Sequence, residues 1–331
     1  MTFQILSLSG GGYLGLYTAT VLAALEERIK RPIVSCFDLV AGTSIGGIIA
    51  LGLGAGRSAA EIKSVFETNG TRIFSGRPAP RHWWEKGRDF MRSLLSPKYD
   101  SANLRAVISD LVGADRLIGD LITPVLVTAL NVSKGLPQAF KTAHHPTFQR
   151  DYLLRVVDVA LATSAAPTYF PLAEIDDELF VDGGLYANSP DLMAIHEAEH
   201  FLKVPTDQIR LLSIGTTTTL YSFSRTKGTQ LGSLQWGIGG RFARVMIAAQ
   251  QASVDFVVRH KLGDRYIRID EFQSPDQMRD LALDVAVESA TKTIRGMAAA
   301  SIRRIASDPL LTQILDTRAG KPTFYHPEKV V

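Results

Sequence analysis

Cysteine is almost missing from this chain: Cys36 is the one thiol in 331 residues. No internal disulfide can form, which excludes the small stapled secreted scaffolds and suits a reducing cytoplasm. Charge of one sign is lacking too. Lys and Arg number 36 against 33 Asp and Glu, a net charge of +3, too little for a surface built around nucleic acid. Long hydrophobic runs are also missing. The apolar stretch from Ile45 to Gly56 is short and broken by glycines, so it is not a bilayer span. The chain opens directly on a strand-like segment and no signal peptide is predicted; it shows neither an internal repeat nor a low-complexity tract. With 46% hydrophobic residues, it can bury one large core, with at most a small appendage. Cys36 precedes an apolar strand and is expected as a small core residue.

What is there begins with Gly42-Thr43-Ser44-Ile45-Gly46, between the strand-like Phe37–Ala41 and a helix-like run from Gly47. A G-x-S-x-G sequence at a strand-to-helix turn is a nucleophile elbow: Gly42 and Gly46 permit the sharp turn, and the Ser44 hydroxyl is left at its tip. About thirty residues earlier, the strand-like Gln4–Leu8 runs into Gly10-Gly11-Gly12 ahead of a helical pattern. Three glycines at a helix N-terminus present unobstructed N–H groups and the positive end of the helix dipole. Such a loop suits a phosphate or an oxyanion. The Lys-Ser/Thr tail of a phosphate loop is absent from Tyr13-Leu14-Gly15 and the spacing is not that of a dinucleotide fingerprint, which favours the oxyanion.

A serine nucleophile needs a base. None of His82, His144, His145, His260 or His326 stands in a convincing triad position. Asp182 does better: it follows the strand-like Glu178–Val181 and precedes Gly183 and Gly184, which predicts a carboxylate close to backbone and open to solvent. A plain Asp-Gly turn is the competing reading. Strands predicted at 3–8, 37–41, 123–131, 178–181 and 210–214 alternate with helices near 101–113 and 150–163 and with one capped by Ser189, with Pro190 first and Asp191 in its first turn. This alternation predicts a three-layer α/β/α fold with a mostly parallel central sheet. Beyond residue 225 the pattern is mainly helical, broken by the strand-like Arg265–Ile269.

Taken in order, Gly10-Gly11-Gly12, Gly42-Thr43-Ser44-Ile45-Gly46 and Asp182-Gly183-Gly184 resemble the patatin-like phospholipases. Ala162–Pro171, Ala187-Asn188-Ser189-Pro190 and Leu211–Thr216 match that family's supporting segments, so the resemblance runs over roughly residues 3–220. It implies a Ser44–Asp182 dyad without histidine, oxyanion donors at Gly10, Gly11 and Gly12, cleavage of acyl esters of membrane phospholipids, and no cofactor. One departure is Leu14, where the family usually carries Arg or Lys. Residues 3–20 further resemble bacterial members switched on by cyclic nucleotides in antiphage defence. That subtype implies a cyclic di- or trinucleotide activator, with Arg241, Arg244 and Arg259 as candidate phosphate ligands. A constitutive lipid acyl hydrolase is the alternative.

The division expected is a catalytic core over 1–220 and a mainly helical part over 221–331 packed on it. Within the core, 72–98 is a candidate lid or membrane segment: seven basic residues against Glu85 and Asp89, interleaved with Phe74, Trp83, Trp84, Phe90 and Met91, suit an anionic bilayer. A cytoplasmic dimer acting at the inner face of the membrane is expected. His196-Glu197-Ala198-Glu199-His200 fits H-E-x-x-H and keeps a zinc hydrolase as a distant alternative; a solvated helix face is the plainer reading, and no metal is expected.

Overall fold

A computed structural model of the chain describes residues 2–74, 97–217, 229–230, 232, 236–237 and 241–326. Its eight strands form one sheet: β1 Phe3–Leu8, β2 Leu39–Thr43, β3 Val125–Asn131, β4 Leu136–Lys141, β5 Ala173–Ile175, β6 Glu178–Asp182, β7 Ile209–Ile214 and β8 Tyr266–Ile269. The run β8-β7-β1-β2-β3 is parallel; β4 and β6 pair antiparallel with β3, and β5 antiparallel with β6. The helices that concern the site are α1 Gly15–Ile29, α2 Ile45–Gly54, α3 Ala59–Ile73, α4 Ser101–Val112, α5 Val156–Ser164, α6 Asp191–His196, α7 Arg241–Leu262, α8 Glu288–Ile305 and α9 Pro309–Asp316.

Side chains alternate across the sheet with the strand period of two. Leu6, Leu8, Val40 and Val127 join one core with α1–α5, α8 and α9; Ile5, Leu39, Leu126 and Leu211 join a second with α6 and α7. Both faces are therefore covered, which is why the parallel strands are apolar almost throughout. The result is the three-layer α/β/α arrangement with a mostly parallel sheet.

One detail of pairing places the site. β4 occupies one edge of β3 along Leu126–Asn131. The other edge must then serve two strands: β2 pairs with Val125–Thr128 and β6 with Ala129–Asn131. Because β6 is antiparallel, the two strands approach each other head to head. Thr43 ends opposite Thr128 and Asp182 opposite Ala129. The residue after β2 and the last residue of β6 are thus delivered to one spot.

Several local expectations are corrected. β2 starts at Leu39 and runs to Thr43, directly before the elbow. The helix expected over 150–163 is a short turn at Asp151–Leu153 followed by α5. α3 was not predicted although Ser58 and Glu61 form a capping box at its start. Ser189 does not cap α6; its hydroxyl meets Ser9 Oγ at 2.8 Å, and the helix starts at Asp191. Asp191 in turn is fully buried and accepts from the hydroxyls of Ser7 (2.5 Å), Ser213 (3.0 Å) and Tyr266 (3.1 Å). Buried hydroxyls on β1, β7 and β8 need an acceptor, and Asp191 supplies it. Of the candidate lid, residues 75–96 lie outside the described residues. Its flanks are described: Phe74 and Tyr99 meet edge to face, 6.2 Å apart, and Lys98 Nζ lies 2.5 Å from Asp284.

Asp191→Ala should lower stability by about 3 kcal/mol, because several buried donors lose their shared acceptor. Urea unfolding measures this; a loss below about 1 kcal/mol would show that the hydroxyls do not depend on that carboxylate.

Candidate active site

Ser44 follows β2 and precedes α2 with φ 55° and ψ −126°, a left-handed conformation that a serine adopts only under constraint. The crowding around it explains the glycines of the elbow. A β-carbon on Gly42 would lie 2.3 Å from Gly46 O, and one on Gly46 2.2 Å from Leu8 O. Ser44 Oγ donates to Asp182 Oδ2 at 2.6 Å. The other carboxylate oxygen, Oδ1, accepts from Gly184 N–H at 2.7 Å, so the turn after β6 fixes the carboxylate's rotation. Gly183 is required here: its β-carbon would sit 2.4 Å from Thr128 Oγ1. Burial pushes the Asp182 carboxyl up to about 6, against the lowering effect of the bonds from Ser44 and Gly184.

The glycine loop adjoins this pair. A β-carbon on Gly10 would lie 3.1 Å from Ser44 Cβ. The three glycines are not equivalent, however. Gly10 N–H donates to Asn188 O at 2.9 Å, and Gly10 O accepts from Thr216 Oγ1 (2.8 Å) and Asn188 Nδ2 (3.3 Å). Its amide is therefore committed, which corrects the expectation that all three donate to an oxyanion. Tyr13 N–H is likewise given to Leu283 O. Gly11 and Gly12 N–H have no protein acceptor among the described residues, and Gly12 holds φ +56° beneath Leu283. The N–H of Ile45, at the N-terminus of α2, lacks an intrahelical acceptor by its position. The site therefore combines a hydroxyl already bonded to a carboxylate with a short row of uncommitted amides. That set can attack an ester carbonyl, accept its proton and hold the resulting oxyanion.

Residues outside the sequence expectation support it. Thr163 Oγ1 accepts from Ser44 N–H at 2.8 Å, and Asn188 and Thr216 brace the glycine loop. Thr163 and Asn188 lie within segments that carry the resemblance, but no local spacing marks their roles. Leu14 is buried in the main core. Arg268 reaches the loop indirectly, bonded to Ser189, whose hydroxyl meets Ser9.

The remaining candidates are not drawn into the site. Arg241, Arg244 and Arg259 share α7, but the rise of a helix separates Arg241 from Arg259 by about 27 Å; Arg259 also pairs with Asp255 at 2.7 Å. They do not form one phosphate pocket. In the H-E-x-x-H stretch, His196 and His200 stack at the surface with centroids 5.0 Å apart, whereas Glu197 is buried against Lys141 Nζ (2.5 Å) and His144 Nε2 (3.1 Å). A carboxylate held there cannot also serve water on a metal between the two histidines, and among the described residues no group of three metal-ligating side chains assembles.

A family model described as Patatin-like phospholipase matches residues 6–195. A protein of Pseudomonas aeruginosa (strain BWHPSA011 / Pa011) named cGAMP-activated phospholipase is 45% identical over 327 residues, covering 98% of this chain and 95% of that protein. A Vibrio cholerae protein of the same name is 37% identical over 315 residues, covering 88% of each. The solved structure of human GIVD cytosolic phospholipase A2 aligns with a TM-score of 0.44 at 10% identity, over 95% of this chain and 60% of that one.

The raised Asp182 pKa gives two linked expectations. As a base it must be ionised, so kcat/KM should fall as pH drops below about 6. Between its unfolded value of 3.8 and about 6, the folded state holds the extra proton; stability from this group therefore declines as pH rises through that window and is lowest above it. Asp182→Asn should thus be inactive yet melt no lower than wild type at pH 7.5. A melting temperature several degrees lower would contradict the burial penalty.

Proposed function

The chain belongs to the patatin-like phospholipase family and is a lipid acyl hydrolase; on that premise we propose a reaction carried by Ser44 and Asp182. Ser44 Oγ attacks the ester carbonyl carbon while its proton passes to Asp182. The tetrahedral oxyanion is held by Gly11 and Gly12 N–H, with Ile45 N–H as a third donor. Collapse breaks the ester bond, and the departing alcohol oxygen takes the proton from Asp182. Water then attacks the acyl-serine with Asp182 again as base, releasing the fatty acid and restoring the dyad. The observation that carries this reading is the 2.6 Å bond from a strained elbow serine to the carboxylate.

Regulation by a cyclic nucleotide is the second part of the proposal. Relatives that align over nearly the whole chain bear the name cGAMP-activated phospholipase, and their similarity extends past the catalytic segment into 221–331. We place the catalytic unit in 1–220, with the mainly helical 221–331 packed against it; β8, α8 and α9 within that part join the sheet and core. Among the described residues no helix is long and apolar enough to cross a membrane. The basic and aromatic composition of 72–98 makes it the proposed segment of peripheral contact with the substrate membrane, and a dimer is the proposed assembly. Switching the population from 1:99 to 99:1 requires about 5.5 kcal/mol of differential affinity for the active state.

Ser44→Ala should reduce fatty-acid release from phospholipid vesicles about 10⁴-fold or more with the fold retained by circular dichroism, and wild-type turnover should survive EDTA. Turnover in the alanine variant, or a loss restored by zinc, would contradict the dyad. Adding cGAMP at micromolar levels should raise wild-type activity at least tenfold over the protein alone; equal rates with and without it, and with other cyclic dinucleotides, would leave a constitutive hydrolase.

A further inference from the structure

We infer that Thr163 is a positioning residue that holds Ser44 in its attacking geometry, and that the C-terminal turn of α5 aligns both members of the dyad. The inference rests on Ser44 being the nucleophile. Thr163 is fully buried. Its single hydroxyl proton is given to Thr128 O at 2.7 Å, so a lone pair is left facing Ser44 N–H, which it accepts at 2.8 Å. The direction of the hydroxyl is thereby set by β3 rather than free to rotate.

Ser44 N–H needs that acceptor. The strand pairing ends one residue earlier, at Thr43 opposite Thr128, and the helix begins one residue later. The peptide between them belongs to neither ladder and is buried, and an unpaired N–H there carries a desolvation penalty. Thr163 satisfies it while fixing the backbone at positive φ. Two residues further on, Ala165 O accepts from Asp182 N–H at 3.1 Å. One turn of chain therefore holds the main chain of the nucleophile through Thr163 and that of the base through Ala165. The docking is close: a β-carbon on Gly47 would meet Thr163 Cγ2 at 3.0 Å, so Thr163 packs directly on the first turn of α2.

A purely packing role for Thr163 predicts the opposite response to two substitutions. Thr163→Val keeps the branched shape and removes the acceptor; Thr163→Ser keeps the acceptor and removes the methyl. The measurement is the second-order rate of Ser44 labelling by a fluorophosphonate, with kcat and KM on a short-chain ester alongside. Since a misplacement of about 1 Å can cost about 10²-fold, the valine variant should lose roughly that factor in labelling rate and kcat, with KM unchanged within about twofold. The serine variant should stay within about threefold of wild type. A valine variant that labels like wild type, or a serine variant impaired as deeply, would overturn the inference. If the valine variant is not recovered folded, the serine variant decides: near-wild-type labelling supports the acceptor role and a tenfold loss overturns it. Failure of the dyad itself would look different, because wild type would then be labelled elsewhere than Ser44 or not at all.

Discussion

The single edge that β3 divides between β2 and β6 is the constraint on which the rest of this site depends. β4 fills the opposite edge over Leu126–Asn131, so the elbow strand and the carboxylate strand compete for one line of hydrogen bonds and must each stop where the other begins. Their register puts Thr43 and Asp182 on adjacent residues of β3. A slip of one residue in either strand would turn its side chains to the opposite face and separate the pair. Thr128 sits at the junction and is contacted from three sides: Thr43 shares a hydroxyl bond with it, Thr163 donates to its carbonyl, and Gly183 passes close enough to need the absence of a side chain.

Energetically the site runs against stability. It holds a serine at positive φ, a buried carboxyl raised to about 6, and the amides of Gly11 and Gly12 without an acceptor among the described residues. The first two features are each unfavourable by about 1–3 kcal/mol and persist only because their surroundings determine them. Those surroundings include a buried polar layer behind the glycine loop. Arg268 pairs with Asp270 and bonds to Ser189 and Ser213; Asp270 also accepts from Thr217 N–H, and Thr216 holds Gly10. Leu14 itself brings no charge to the loop, which Thr216, Asn188 and backbone bonds brace directly.

Much of this arrangement was legible in the residues. The glycine triplet, the elbow and the Asp-Gly-Gly turn are local features whose backbone demands appear as composition, and the alternation of apolar strands with helices gives the layers. What was not legible involves distance. The antiparallel insertion of β6 beside β2 leaves no trace in either strand's pattern, and Ser189 looked like a cap because its partner, Ser9, is 180 residues away. Gly10, Gly11 and Gly12 look identical in sequence; only the carbonyl of Asn188 makes the first unlike the other two. Conversely, the histidine pair with its glutamate looked like a metal motif because spacing alone does not reveal that Lys141 and His144 hold Glu197 in the interior.

The central claim is that a covalent acyl-serine forms at Ser44 without a histidine. Acid quenching within milliseconds of mixing enzyme and a slowly deacylated phospholipid analogue, followed by peptide mass spectrometry, tests it directly. The account predicts a transient acyl mass on the peptide containing Ser44 that rises before product and decays with turnover. Hydrolysis proceeding with no serine adduct at any time, or an acyl group on another residue, would contradict it.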